Sequence, residues 1–103
     1  MKTALITGGS RGIGSAIALA LAKNFHVVVG YANSEDKANE VVKEIINAGG
    51  SASTVQIDIS NSESVDNAFL TVEKEYNSVD VLINNAGITQ DNILPRMKED
   101  EWL

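Results

Sequence analysis

Short apolar runs alternate along the chain with longer segments in which apolar positions recur at helical spacing. Ala4-Leu5-Ile6 is the first run, and it passes directly into Gly8-Gly9-Ser10-Arg11-Gly12-Ile13-Gly14, as a buried strand entering a tight turn does. From Ile13 the apolar set Ile17, Leu19, Ala20 and Leu21 continues among strong helix formers to Asn24, so the turn feeds a helix. Phe25 to Val29 is β-branched after His26 and lacks polar alternation, which predicts a strand covered on both faces. Asn33 or Ser34 can cap a second helix, with Glu35 and Asp36 in the first turn, where the helix dipole favours negative charge. Ala38, Val41, Val42, Ile45 and Ile46 give that helix an apolar face, and Gly49-Gly50 ends it.

A third strand is expected at about Ser53 to Ile57. Ser60-Asn61-Ser62-Glu63 has the form of a capping box, and Val65, Phe69, Val72 and Tyr76 then fall at i, i+4, i+7 and i+11 of a third helix. Val79 to Ile83 reads as a fourth strand running into Asn84-Asn85-Ala86-Gly87. Residues 88 to 97 read as loop, and Lys98 to Leu103 as the first turn of a fourth helix. The order is βαβαβαβ. Strands separated by single helices are not hairpin partners, so the expectation is an α/β fold with a doubly wound parallel sheet.

Length and composition narrow the function. The 103 residues are 44% apolar, enough for one domain and too few for two. Fourteen acidic against eight basic side chains give a net charge of -6, and aromatics are 5%, which argues against a nucleic-acid partner. One histidine and no cysteine argue against a zinc site, a thiolate site or a disulfide framework. No apolar run approaches the ~20 residues that span a bilayer and no signal peptide is evident, so no membrane partner is expected and the chain reads as cytoplasmic.

The candidate chemistry lies in the glycine cluster. Gly8 permits a sharp exit from the first strand, Gly12 lets backbone approach a ligand without a Cβ, and Gly14 lets helix and strand pack closely. Backbone N–H groups and the positive helix end then converge on one point, an anion site that uses no lysine and suits a diphosphate. The spacing is G-x-x-x-G-x-G; a G-x-G-x-x-G from Gly12 would need glycine where Ile17 stands, and no Gly-Lys-Ser/Thr follows for a P-loop. A purely structural turn is the competing reading. The second polar-small cluster, Asn84-Asn85-Ala86-Gly87, shifts the balance, because the first and fourth strands of such a sheet flank the point where strand order reverses and ligands bind.

Thr7-Gly8-Gly9-Ser10-Arg11-Gly12-Ile13-Gly14 together with Asn84-Asn85-Ala86-Gly87 resembles the short-chain dehydrogenase/reductase family. Asp80 through Asn92 and Arg96-Met97-Lys98-Glu99 are similar to one branch, the 3-oxoacyl-(acyl-carrier-protein) reductases of fatty-acid synthesis. The resemblance covers the whole chain and implies a Rossmann-like fold, here four strands of an incomplete βαβαβαβ unit. It implies that Gly8, Ser10, Arg11, Gly12, Ile13 and Gly14 line the phosphates and ribose of a nicotinamide cofactor. Asp58 and Ile59 would meet the adenine ring, and Asn85, Ala86 and Gly87 would border the adenosine ribose and diphosphate. Two alternatives stay open: Asp58 as a helix-cap acid beside Ser60, and Asn84 as an amide that braces the loop.

Charge bears on which cofactor is bound. A cofactor without the 2′-phosphate is usually held by a carboxylate at the end of the second strand, and Gly30-Tyr31-Ala32-Asn33 offers none. Arg11 supplies a base in the glycine turn, Asn33 and Ser34 can donate to a phosphate, and Glu35 and Asp36 come later and face solvent. NADP(H) is therefore the expected cofactor.

The family's catalytic Tyr-x-x-x-Lys pair has no counterpart, since Glu35 follows Tyr31 and Asp80 follows Tyr76 at that spacing. No catalytic residue is assigned in these 103 residues. One reading makes residues 1–103 the NADP(H)-binding half of a reductase whose catalytic half is absent, inactive alone. The other is a complete non-catalytic nucleotide-binding or interaction module. Ending one turn into a helix favours the first. For the full-length family the resemblance implies acyl-carrier protein and a homo-oligomer as partners. For the chain alone, an open fourth-strand edge predicts self-association or a covering segment. His26, Met97 and Trp102 are read as packing residues, and Arg96 and Lys98 as solvated charges.

Overall fold

The computed structural model describes residues 1–9 and 12–85. Ser10, Arg11, Ala86 and Gly87 lie outside the described residues, as do the loop expected over 88–97 and the helical turn expected over 98–103. The elements are β1 (Lys2–Thr7), α1 (Gly12–Leu21), β2 (Phe25–Tyr31), α2 (Glu35–Asn47), β3 (Ser51–Gln56), α3 (Ser62–Tyr76) and β4 (Val81–Asn84). They form one four-stranded sheet in the order β3-β2-β1-β4, with every neighbouring pair parallel. The expected α/β doubly wound, Rossmann-like architecture is the observed one.

The two-residue repeat of a strand divides the core. Ile6, Val27 and Val29 point to the face covered by α1 and α2, where they pack with Ala18, Ala38, Val41 and Ile45. Leu5 and Val28 point to the opposite face, where Val72 of α3 covers them with Phe69 and Tyr76 alongside. Leu5, Ile6, Val27, Val28 and Val29 are all essentially inaccessible to solvent, so β1 and β2 carry no polar alternation. Each such side chain contributes about 1.5–3 kcal/mol by leaving water.

Helix ends depart from the expected positions for local reasons. α1 stops at Leu21 rather than Asn24, where Lys23 N and Asn24 N turn to carbonyls three residues back. α2 begins after Ser34, as one of the two expected caps, although the Ser34 side chain makes no capping hydrogen bond. Its end is a full Schellman motif: Gly49 N donates to Ile46 O at 3.0 Å and Gly50 N to Ile45 O at 2.9 Å, with Gly49 at φ +94°. The capping box expected from Ser60 to Glu63 is replaced by a cap one residue on. Ser60 is consumed by Asp58, whose Oδ1 accepts from both Ser60 N and Ser60 Oγ. Asn61 Oδ1 instead accepts from Glu63 N and Ser64 N and starts α3.

Strand boundaries also shift. β3 starts at Ser51, two residues before the expected Ser53, because Ser51 pairs in register with His26 of β2. β4 starts at Val81, two residues after the expected Val79. Val79 still packs on the α3 face, and Asp80 closes the entry to the strand, donating from its N to Thr3 O at 2.9 Å and accepting from Thr3 N at Oδ2 at 2.8 Å.

Candidate functional site

Parallel strands put all their carboxyl ends on one side of the sheet, and there the first and last strands meet. Thr7 pairs with Asn84 in register, and buried Thr7 Oγ1 donates to Asn84 Oδ1 at 2.9 Å. The next residue on each strand repeats the link: Asn85 Nδ2 donates to Gly8 O at 3.0 Å. Adjacent strands whose connecting helices lie on opposite faces open a crevice between them, and this is the point where strand order reverses.

The glycines of the turn differ in what requires them. Gly8 and Gly12 sit at φ +66° and +60°, a backbone region that L side chains rarely adopt, so the exit from β1 and the entry to α1 both require them. A Cβ at Gly12 would point into open space within 4 Å, leaving the backbone bare where a ligand can approach. At Gly14 the reason is contact: a Cβ there would overlap Gly8 O and come within 2.6 Å of Asn85 Nδ2. Gly8, Gly14 and Asn85 thus form one packed junction between β1, α1 and β4. The first N–H groups of α1, free of partners within the helix, face the same opening. This cradle fits a diphosphate.

The short chain dehydrogenase family model matches residues 2–103. The chain belongs to that family. It is 50% identical over 102 residues to the 3-oxoacyl-[acyl-carrier-protein] reductase FabG of Staphylococcus epidermidis (strain RP62A), covering 98% of this chain and 42% of the relative. It is likewise 50% identical over 102 residues to the 3-oxoacyl-[acyl-carrier-protein] reductase of Synechocystis sp., of which it covers 41%. The solved dehydrogenase/reductase from Sinorhizobium meliloti 1021 superposes with a TM-score of 0.79 at 42% identity, over 84% of this chain and 35% of that one. The chain therefore spans well under half the length of the relatives it matches.

The other expected residues that the structure describes lie at the same end of the sheet. Ile13, in the first turn of α1, is 73% exposed beside the glycine cradle. Asn33 and Ser34 follow β2 and line an open cavity of about 370 Å³ with Glu35, Asp36 and Lys37. Asp58 and Ile59 follow β3 and are exposed. Asp58 is a turn-former: Ser60's two hydrogen bonds hold its carboxyl below the usual carboxylate range, and Asp58 N donates to Ser64 Oγ at 2.9 Å. Asn85, read from sequence as bordering the cofactor, spends its amide on the glycine turn, as Asn84 does on Thr7.

Three contributors carried weaker sequence signals. Gly30, the one glycine in the β2 run, lets strand ends converge: a Cβ there would come within 2.7 Å of Ile57 Cγ2 and 2.9 Å of Ile6 O. Gly9 N donates to Gly30 O at 3.2 Å, which ties the glycine turn to β2 as well. An isolated glycine inside a strand pattern is the signal that marks such an approach. Thr7 gave none. Tyr31 ends β2, and burial, then the nearby Glu35 carboxylate, push its phenol pKa up. Among the described residues no three His, Cys, Asp or Glu side chains gather as for a metal, and no helix is long and apolar enough to cross a membrane.

Proposed function

We propose that these residues form the NADP(H)-binding half of a reductase of fatty-acid synthesis that converts a 3-oxoacyl thioester on acyl-carrier protein to the 3-hydroxyacyl thioester. The observation that carries the reading is the junction of Gly8, Gly14 and Asn85, a cradle that only glycine fits at the switch point of the sheet. The names of its relatives supply the substrate class.

The cofactor supplies a hydride when bound. The chain's own residues hold and orient it: the α1 N-terminus and the glycine turn bind diphosphate, while Asp58 and Ile59 border the adenine. Arg11, Asn33 and Ser34 receive the 2′-phosphate. Neither tyrosine stands four residues before a lysine, so proton donation to the carbonyl oxygen is assigned to residues outside this stretch, and the 103 residues alone are expected to be inactive.

Fluorescence titration with NADPH and NADH tests the cofactor assignment. NADPH is expected to bind more tightly, and Arg11→Ala to narrow the difference by about tenfold to a hundredfold, the equivalent of about 1.5–3 kcal/mol for a charge-assisted hydrogen bond. Equal affinities in the unmutated protein overturn it.

A further inference from the structure

The loop that follows β3 is anchored on three sides. Ile57 is buried, packs with Val65 and Ala68 of α3, and donates from its N to Tyr31 O at 2.8 Å. Its Cγ2 occupies the space that Gly30 leaves, where a Cβ would come within 2.7 Å. Asp58 N donates to Ser64 Oγ at 2.9 Å, and Asp58 O accepts from Asn61 N at 3.0 Å. β2 and α3 therefore fix the backbone of Asp58 before its side chain makes any contact.

The side chain is then held by one oxygen. Asp58 Oδ1 accepts from Ser60 Oγ at 2.6 Å and from Ser60 N at 3.0 Å. Oδ2 accepts from no group among the described residues, and Asp58 is exposed at the end of the sheet that carries the glycine cradle.

We propose that Ser60 is a positioning residue that sets base specificity: by holding Asp58 Oδ1 it fixes Oδ2 as the acceptor for the exocyclic amino group of adenine, and so selects against a purine that carries an oxygen there.

The inference rests on the reading that Asp58 borders the adenine, and it supplies the reason why this carboxylate distinguishes one purine from another. The Ser60 hydroxyl, then the Ser60 N–H, hold the carboxyl below its ordinary range, so at neutral pH it is ionised and can only accept. Adenine presents a donor, the exocyclic amine, beside an acceptor ring nitrogen. Hypoxanthine presents the reverse, a carbonyl oxygen beside a ring N–H. A carboxylate free to rotate can reach the donor of either base and binds both. Held at Oδ1, it cannot follow the donor from one position to the next, and a carbonyl set against Oδ2 leaves two acceptors facing each other with no hydrogen between them. Exposed Ile59 offers both bases the same apolar surface, so the discrimination falls to the carboxylate.

Fluorescence titration of the intact protein with NADPH and its hypoxanthine analogue reads the base. NADH and its hypoxanthine analogue repeat the comparison without the 2′-phosphate. The unmutated protein is expected to prefer adenine by about tenfold or more, the range of one charge-assisted hydrogen bond. Ser60→Ala keeps the backbone bond to Oδ1 and loses the hydroxyl, and is expected to lower that ratio severalfold. Ser60→Thr restores a hydroxyl and is expected to restore the ratio. A serine that only stabilised the loop would weaken adenine and hypoxanthine nucleotides together, and an unchanged ratio in Ser60→Ala overturns the inference. A ratio near one in the unmutated protein also overturns it, whether or not any variant folds, and leaves the cofactor reading standing. Absence of binding by all of these nucleotides overturns the cofactor reading and this inference with it.

Discussion

Asn85 Nδ2 donates to Gly8 O across 3.0 Å and 77 positions of sequence, so the carbonyl that shapes the glycine turn is held by a residue remote in sequence that follows the neighbouring strand. The bond gives the turn a fixed backing rather than leaving its geometry to local preference. Asn85→Ala leaves that carbonyl without its partner, and a lost hydrogen bond of this kind costs about 0.5–1.5 kcal/mol. The expected result is a small loss in chemical denaturation and a larger loss of nucleotide affinity. Unchanged affinity with lowered stability would separate Asn85 from the site.

Gly14→Ala tests the other side of the same junction. The added methyl overlaps Gly8 O and crowds Asn85 Nδ2, so either α1 moves off the strand or the turn reopens. Overpacking of this sort costs about 1–3 kcal/mol. Thermal melting is expected to show that loss together with loss of nucleotide binding. Gly12→Ala has room for its methyl but a strained φ, and is expected to lower stability through the backbone alone.

The cap of α3 offers a control remote from the turn. Asn61→Ala removes two backbone hydrogen bonds, from Glu63 N and Ser64 N, and is expected to cost about 1 kcal/mol. Ser60→Ala removes none of the cap's bonds, so a comparable loss in Ser60→Ala by denaturant titration would contradict the placement of the cap.

Acid stability is expected to depend on Asp80. The bond from Thr3 N holds its carboxyl below the ordinary value of 3.8, with Ser78, Lys2 and the amino terminus helping. A folded pKa below the unfolded one means the ionised form contributes stability above about pH 4, and that contribution disappears as pH falls through the lowered value. Asp80→Asn removes this dependence. Its denaturation midpoint is expected to vary less between pH 5 and about 2 than that of the parent, and parallel curves would count against the assignment.

The fold was legible because β1 and β2 are buried on both faces, and nothing but an apolar run satisfies such a position. β3 was harder. Ser51, outside the expected strand, looks like a loop residue until its hydroxyl is seen against His26, a partner 25 positions away. The cap of α3 was misplaced by one residue because Ser60 and Asn61 are both good caps, and only Asp58 decides between them by taking Ser60. In the site, Gly8, Gly12 and Gly14 were readable from spacing since each is demanded by backbone shape or contact. The brace from Asn85 was not, because a side-chain amide carries no sign of which carbonyl it will meet.

The contact between Asn85 and Gly8 also sets an order of events during synthesis. Gly8 is translated before β2, α2 and β3, and β1, α1, β2, α2 and β3 can assemble by short-range steps, each strand beside its predecessor. β4 reverses that progression by returning to β1 across α3, closing the longest loop in the sheet. The glycine turn thus precedes the other loops of the described sheet in translation and is among the last of them to be made rigid. A nascent chain that ends before Asn85 carries the glycine sequence without its backing, and firm cofactor binding is expected only after β4 has docked.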